Sequence, residues 1–159
     1  MAFQFTNPIG PGSVTDVLTT KAFLIGTIAK AVDPALGEGE FIFLPGVAST
    51  VAGHVVIYDT YANTTKLAVA GDRGPAAVAM AATVASTYGW YQIRGVATVK
   101  ETSATAAAKI FLTATPGVPA VAVVTGDKLD GGNFKTADAT PAAGFAYAQI
   151  TYPSLNGNG

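Results

Sequence analysis

The side chains able to do chemistry are few and scattered. There is one histidine, His54, and no cysteine. A lone His just ahead of the apolar run Val55-Val56-Ile57 reads more simply as a solvated or hydrogen-bonded side chain than as a catalyst. No Gly-x-Ser-x-Gly turn is present to offer a nucleophile to it. Glu38 and Glu40 lie two apart and would face the same way on a strand, as an acid–base pair, a cation site or charges that keep an edge strand soluble. Asp127, Asp130 and Asp138 fall in a Gly-rich stretch, 126–139, and could supply some of the roughly six to eight oxygens that calcium requires. Their spacing is not that of an EF-hand, and Lys128 and Lys135 interrupt them. Gly71-Asp72-Arg73-Gly74 and Gly126-Asp127-Lys128 lack the pattern of a phosphate loop and read as tight turns. The chain is therefore read as non-enzymatic, with no cofactor and no metal.

The elements that must position these residues are short and β-type. Candidate strands are 22–32, 39–44, 54–59, 66–70, 76–82, 88–100, 109–115, 118–124 and 145–152. Asp33-Pro34, Pro45-Gly46, Gly71-Asp72, Gly74-Pro75, Pro116-Gly117, Gly126-Asp127, Gly131-Gly132 and Pro141 punctuate them. Strands spaced near ten residues apart with turn signals between them predict an all-β fold, a small barrel or sandwich of short antiparallel strands. Residues 22–153 form that domain. Residues 1–21 read as an extended N-terminal arm with a helical turn over 13–21, capped by Ser13. Residues 154–159 read as a flexible tail. Phe3, Phe5 and Ile9 are apolar anchors in the arm, suited to another surface or to the chain's own domain.

Charge is unusually sparse. Asp, Glu, Lys and Arg make up 12% of the 159 residues, and the net charge is −1; a soluble domain commonly carries about 25%. A monomer of this size exposes roughly 7,400 Å², so nineteen charges (nine basic and ten acidic) are thin cover. Much of the surface is expected to be covered by further copies or by a larger partner, unless the abundant Ala, Thr and Gly simply face water. No basic run points to nucleic acid, and no apolar run is long enough to span a membrane. The first residues lack the pattern of a signal peptide, so synthesis in a cytoplasm is expected.

The stretch Tyr88–Lys100 carries the sharpest pattern. Alternation puts Tyr91, Ile93, Gly95, Ala97 and Val99 inward, and Trp90, Gln92, Arg94, Thr98 and Lys100 outward. The only tryptophan thus falls on a polar face, which marks a partner surface. On this reading Trp90→Ala should leave the fold intact and weaken assembly.

A repeat of about 55 residues is also visible. Ser49 to Asp59, Gly71-Asp72-Arg73 and Trp90-Tyr91-Gln92-Ile93 are followed by Ser103 to Thr113, Gly126-Asp127-Lys128 and Tyr147-Ala148-Gln149-Ile150. If it holds, the fold is two similar halves, with Tyr147 matching Trp90 and Gln149 matching Gln92.

The series Gly-Glu-Phe-Ile-Phe-Leu, Val-Ala-Gly-His-Val-Val-Ile-Tyr-Asp, Gly-Asp-Arg-Gly-Pro-Ala-Ala-Val-Ala-Met, Gly-Trp-Tyr-Gln-Ile-Arg-Gly-Val-Ala, Ala-Ala-Lys-Ile-Phe-Leu-Thr-Ala-Thr, Gly-Asp-Lys-Leu-Asp-Gly and Gly-Phe-Ala-Tyr-Ala-Gln-Ile, over residues 38–153, resembles the capsid decoration (cement) proteins of tailed bacteriophages. The resemblance implies a small β-barrel that binds the outside of the assembled head as a homodimer or homotrimer. It implies that the partner is the major capsid protein, that joints between coat subunits are reinforced, and that there are no catalytic residues. Some members of the family use an N-terminal arm, a role open to residues 1–13. The partner-binding set expected here is Phe3, Phe5, Ile9, Trp90, Gln92, Arg94 and Tyr147. The alternatives are a tail or fibre component of a virion, or a carbohydrate-binding β-sandwich using Tyr88, Trp90 and Tyr147.

Overall fold

The computed structural model describes residues 4–5, 12–120 and 127–156, the side chains of residues 4, 5 and 127 excepted. Among these residues the chain is all-β. Eleven strands form one antiparallel sheet: β1 (Gln4–Phe5), β2 (Ile28–Asp33), β3 (Gly37–Pro45), β4 (Val55–Asp59), β5 (Thr64–Leu67), β6 (Arg73–Ala79), β7 (Tyr88–Lys100), β8 (Lys109–Leu112), β9 (Pro119–Ala120), β10 (Asp127–Phe134) and β11 (Phe145–Asn156). The order is β1-β2-β3-β7-β6-β11-β10-β8-β9, with β4 joining β5 to β6 and a further pairing of β7 with β11. The sheet does not close into a barrel. It folds over itself around three apolar clusters.

Local chemistry sets the turns. Asp33 ends β2 by accepting the Ala35 and Leu36 N–H groups on Oδ1, at 2.7 and 3.1 Å. Asp59 does the same after β4 for Tyr61 and Ala62, at 2.8 and 3.0 Å. Such side-chain mimicry of a turn is what favours Asp between two strands.

The repeat is real at the level of pairing. Ile57↔Lys66 and Tyr58↔Thr65 join β4 to β5; fifty-four residues on (57→111, 66→120), Phe111↔Ala120 and Leu112↔Pro119 join β8 to β9. Val78↔Gln92 and Ala79↔Tyr91 join β6 to β7, and Asn133↔Gln149 and Phe134↔Ala148 join β10 to β11. The loops repeat as well. Gly53 N–H bonds Ala79 O and Ala79 N–H bonds His54 O, as Ala107 N–H bonds Phe134 O and Phe134 N–H bonds Ala108 O. Asn63 and Gly117, at matching positions in the two hairpins, both take positive φ, 54° and 75°. The fold is thus two β4-β5-β6-β7-type units joined along β7 and β11, with β1–β3 added to the outer edge of β7.

Several expectations need correction. The chain before β2 is not a helical turn. Ser13 and Asp16 close a single turn, Asp16 N–H to Ser13 O at 3.1 Å, and residues 14–25 then run across the sheet as an irregular strap. Leu18 exchanges two backbone hydrogen bonds with Tyr88 (2.9 and 2.8 Å), and Val14 is buried. The strand expected from residue 22 starts only at Ile28, because Gly26 takes φ +88° and turns the chain. The arm folds back on its own domain where it is described: Gln4 and Phe5 pair with Val32 and Ala31. At the other end the expected tail is partly strand. Ser154, Leu155 and Asn156 pair with Pro75, Gly74 and Arg73, and Leu155 is buried. The Gly-rich stretch after residue 126 is strand β10, in which a bulge at Gly131 absorbs the glycines.

Candidate interaction surfaces

Trp90 is 2% exposed and Gln92 is fully buried, so neither stands on an outer surface. Two physical reasons overturn the alternation. First, the strap covers that face: Val14, Leu18, Phe23 and Ile25 pack with Phe41, Phe43 and Trp90 in one cluster. The Phe23 ring centroid lies 5.3 Å from Trp90 and 5.2 Å from Phe43, the separations favoured by tilted and edge-on aromatic pairs. Second, β7 carries a bulge. Phe41 pairs with Gln92 and Glu40 with Arg94, leaving Ile93 extra. Neighbouring residues of β3 face opposite ways, so Gln92 and Arg94 do too; a bulge breaks the period-two rule at one point.

The Gln92 amide stabilises that bulge. Its Nε2 donates to Arg94 O and Val96 O, both at 3.1 Å. Gly95, at φ +104°, allows the close approach: a Cβ there would stand 2.7 Å from Glu38 O and 3.2 Å from Gln92 Nε2. Gln92 is thus a structural residue.

Arg94 emerges beyond the bulge into a charge cluster. Its guanidinium lies 3.2 Å from Glu40 and 3.5 Å from Glu38, and the Lys30 ammonium lies 3.8 and 3.9 Å from the same carboxylates. The Tyr152 hydroxyl donates to Glu40 Oε2, and that carboxylate raises the phenol pKa. Two acids and two bases cancel, so the spacing of Glu38 and Glu40 serves an ion-pair network across β2, β3 and β7. Lys66–Asp72 (2.5 Å) and Lys128–Asp130 (2.7 Å) are likewise paired. Much of the sparse charge is neutralised locally.

Tyr147 is half-exposed. It faces out beside Thr98, and next to it Gln149 pairs with Val96 and Asn133. All five residues are half-buried. Of the remaining expected contacts, Phe3 and Ile9 lie outside the described residues, and Phe5 is described only by its backbone in β1.

Among the described residues the chemical candidates do not assemble, and the Asp127 side chain lies outside them. His54 is buried, accepts the Val51 N–H on Nδ1 at 3.4 Å, and is held neutral by burial and by the Lys100 charge. Asp130 is engaged by Lys128 and Asn156, away from Asp138, which binds the Ala139 and Gly144 N–H groups. No group of three or more His, Asp or Glu side chains suited to a metal occurs among the described residues. No described helix is long and apolar enough to cross a membrane.

Two features lay outside the sequence reading. One is a groove of two adjoining depressions, about 420 and 560 Å³, that share Tyr58, Arg73, Gly74 and Pro75; residues 152–156 of β11 wall the second. The other is a carboxyl pair, Glu101 and Asp138, whose members are 37 positions apart (101→138) with no motif to connect them.

The chain matches no protein-family model and no curated protein.

Proposed function

We propose that this protein is a structural coat component that binds the outer surface of an assembled phage capsid, with the major capsid protein and further copies of itself as partners. The observation that carries the reading is the difference between the two halves. In the first half the strap closes the face holding Trp90 and Gln92; in the second the matching face, with Tyr147 and Gln149, is left half-exposed. A sheet face with one aromatic, two amides and small β-branched neighbours suits broad, weakly polar contact, which costs little desolvation. Repeated over many copies, modest contacts of this kind give tight retention. The exposed side chains Leu24, Ile28, Tyr61 and Tyr152 add apolar surface elsewhere. Oligomerisation as a homodimer or homotrimer would cover part of it.

The carbohydrate reading loses its main support, because Trp90 is inside and cannot stack on a sugar. Arg94 is engaged with Glu38 and Glu40, which leaves Tyr147 as the aromatic contact of this proposal. The test is quantitative mass spectrometry of purified virions from the source of the chain. Hundreds of copies in fixed ratio to the coat protein are expected. A few copies per particle would assign the protein to a tail or fibre, and absence from the particle would overturn the virion reading.

A further inference from the structure

Glu101 follows the last residue of β7 and is 4% exposed. Neither of its carboxyl oxygens receives a hydrogen bond from any donor among the described residues. The side chain it meets is Asp138, whose own Oδ1 is fixed by the Ala139 and Gly144 N–H groups at 2.6 and 3.1 Å. Two carboxylates in contact, one of them buried without a donor, cannot both be ionised at low cost. One proton between them removes the conflict, since a protonated carboxyl donates and a carboxylate accepts.

We propose that Glu101 and Asp138 share a proton and so form a pH-sensitive clasp that holds the 136–144 loop against the end of β7. The loop has few other ties to β7; Glu101 N–H donates to Gly144 O at 3.0 Å. Around Glu101 stand the end of β7 with Lys100, the turn at Thr102, whose N–H bonds Pro119 O, and the loop carrying Asp138. Asp138 is the charge that acts on Glu101. Burial and this neighbour push the Glu101 carboxyl up to about 7, while the backbone N–H of Gly144 and the Glu101 proton hold Asp138 below its usual value.

The sign follows. The Glu101 pKa is higher folded than unfolded, so its contribution is fully present below about 4.5 and is lost as pH rises through about 7. The clasp is closed in mild acid and strained in mild alkali. The inference does not depend on what the protein binds, although the same loop supports the Tyr147 backbone, whose N–H lies 3.0 Å from Thr136 Oγ1 and 3.2 Å from Thr140 O.

The test is hydrogen exchange of the Ala139 and Gly144 amides in the full chain at pH 5 and pH 8, corrected for intrinsic rates. Opening should rise by a few tens of fold, on the order of fifty, as the pKa difference requires. Glu101→Gln, which keeps a donor without a charge, should hold protection nearly constant between the two pH values. Equal protection in the wild type at both pH values would overturn the clasp, as would an unchanged pH slope in the variant. Should the variant fold poorly, the carboxyl ¹³C shift of wild-type Glu101 decides: a midpoint near 7 supports the proposal and one near 4.5 ends it. Calcium chloride that restores protection at pH 8 in the wild type alone would make the pair a cation site and replace the shared proton.

Discussion

The two halves of the sheet are built on one pairing scheme and finished differently. At β6–β7 the pairs are Val78↔Gln92 and Ala79↔Tyr91, and next to them a strap brings Phe23 and Leu18 onto Trp90. At β10–β11 the pairs Asn133↔Gln149 and Phe134↔Ala148 have no such cover on their outer side among the described residues, and Tyr147 stays half-exposed. Pairing is a backbone property, and a duplicated backbone keeps it. Burial of the outer face is a property of what else the chain supplies, and among the described residues 14–25, β2 and β3 serve the first half alone. The same side-chain types can therefore be core in one copy and surface in the other.

The comparison breaks most directly at its two aromatic residues. Trp90→Ala removes the centre of a closed cluster and should cost about 3–5 kcal/mol, enough to unfold much of a marginally stable domain. Thermal unfolding followed by circular dichroism reads this directly. A near-normal melting temperature would mean that the strap does not hold Trp90 in solution.

A smaller loss, about 2 kcal/mol, is expected from Phe23→Ala, because Phe23 is itself only partly buried. Since Trp90 is the only tryptophan, its fluorescence reports the strap. The emission should move to the red in Phe23→Ala and stay in place in Tyr147→Ala. An unchanged maximum in both would place the strap elsewhere.

The amides repeat the contrast at lower cost. Gln92→Ala leaves the Arg94 and Val96 carbonyls without their donor inside the sheet and should cost about 1–3 kcal/mol. Gln149→Ala, on the open side, should stay within about 0.5 kcal/mol. Urea unfolding of the two variants under one set of conditions gives the difference. Equal losses would show that the second half is covered as well.

How much of this was legible in the sequence depends on which interactions decide each feature. The all-β class, the ends of β7 and the turn at Asp33 follow from period-two patterns and local turn chemistry. The repeat was visible through Gln92/Gln149 and the Gly-Asp turns, although composition alone made it faint. The direction of Trp90 was not legible. The bulge at Ile93 depends on Gly95 and on the carbonyl geometry of β3, and the cover depends on a segment about 70 residues earlier in the chain (Phe23 to Trp90) that shows no periodicity. Strand β10 was hidden by its glycines, which mark a bulge here and a loop elsewhere. The Glu101–Asp138 pair is a meeting of two loops, and sequence spacing carries no trace of it.

A small expected effect on folding is the most informative for function. Tyr147→Ala removes a half-exposed ring whose neighbours are Thr98, Gln149 and Val96, so its loss should destabilise the isolated protein by less than about 1 kcal/mol. If that face meets the coat, the ring becomes fully buried on attachment, and an aromatic of this size then carries roughly 2 kcal/mol or more of binding, about thirtyfold in affinity per site. Retention of the variant on particles during dilution, set beside the wild type, measures this. Trp90→Ala does not serve as a control, since it loses binding through unfolding; Gln149→Ala does, because it alters the same face without removing the ring. Loss of retention in Tyr147→Ala at an unchanged melting temperature separates surface from core. Full retention would move the attachment surface off the second half, to the exposed Leu24 and Ile28 on the β2 side of the first.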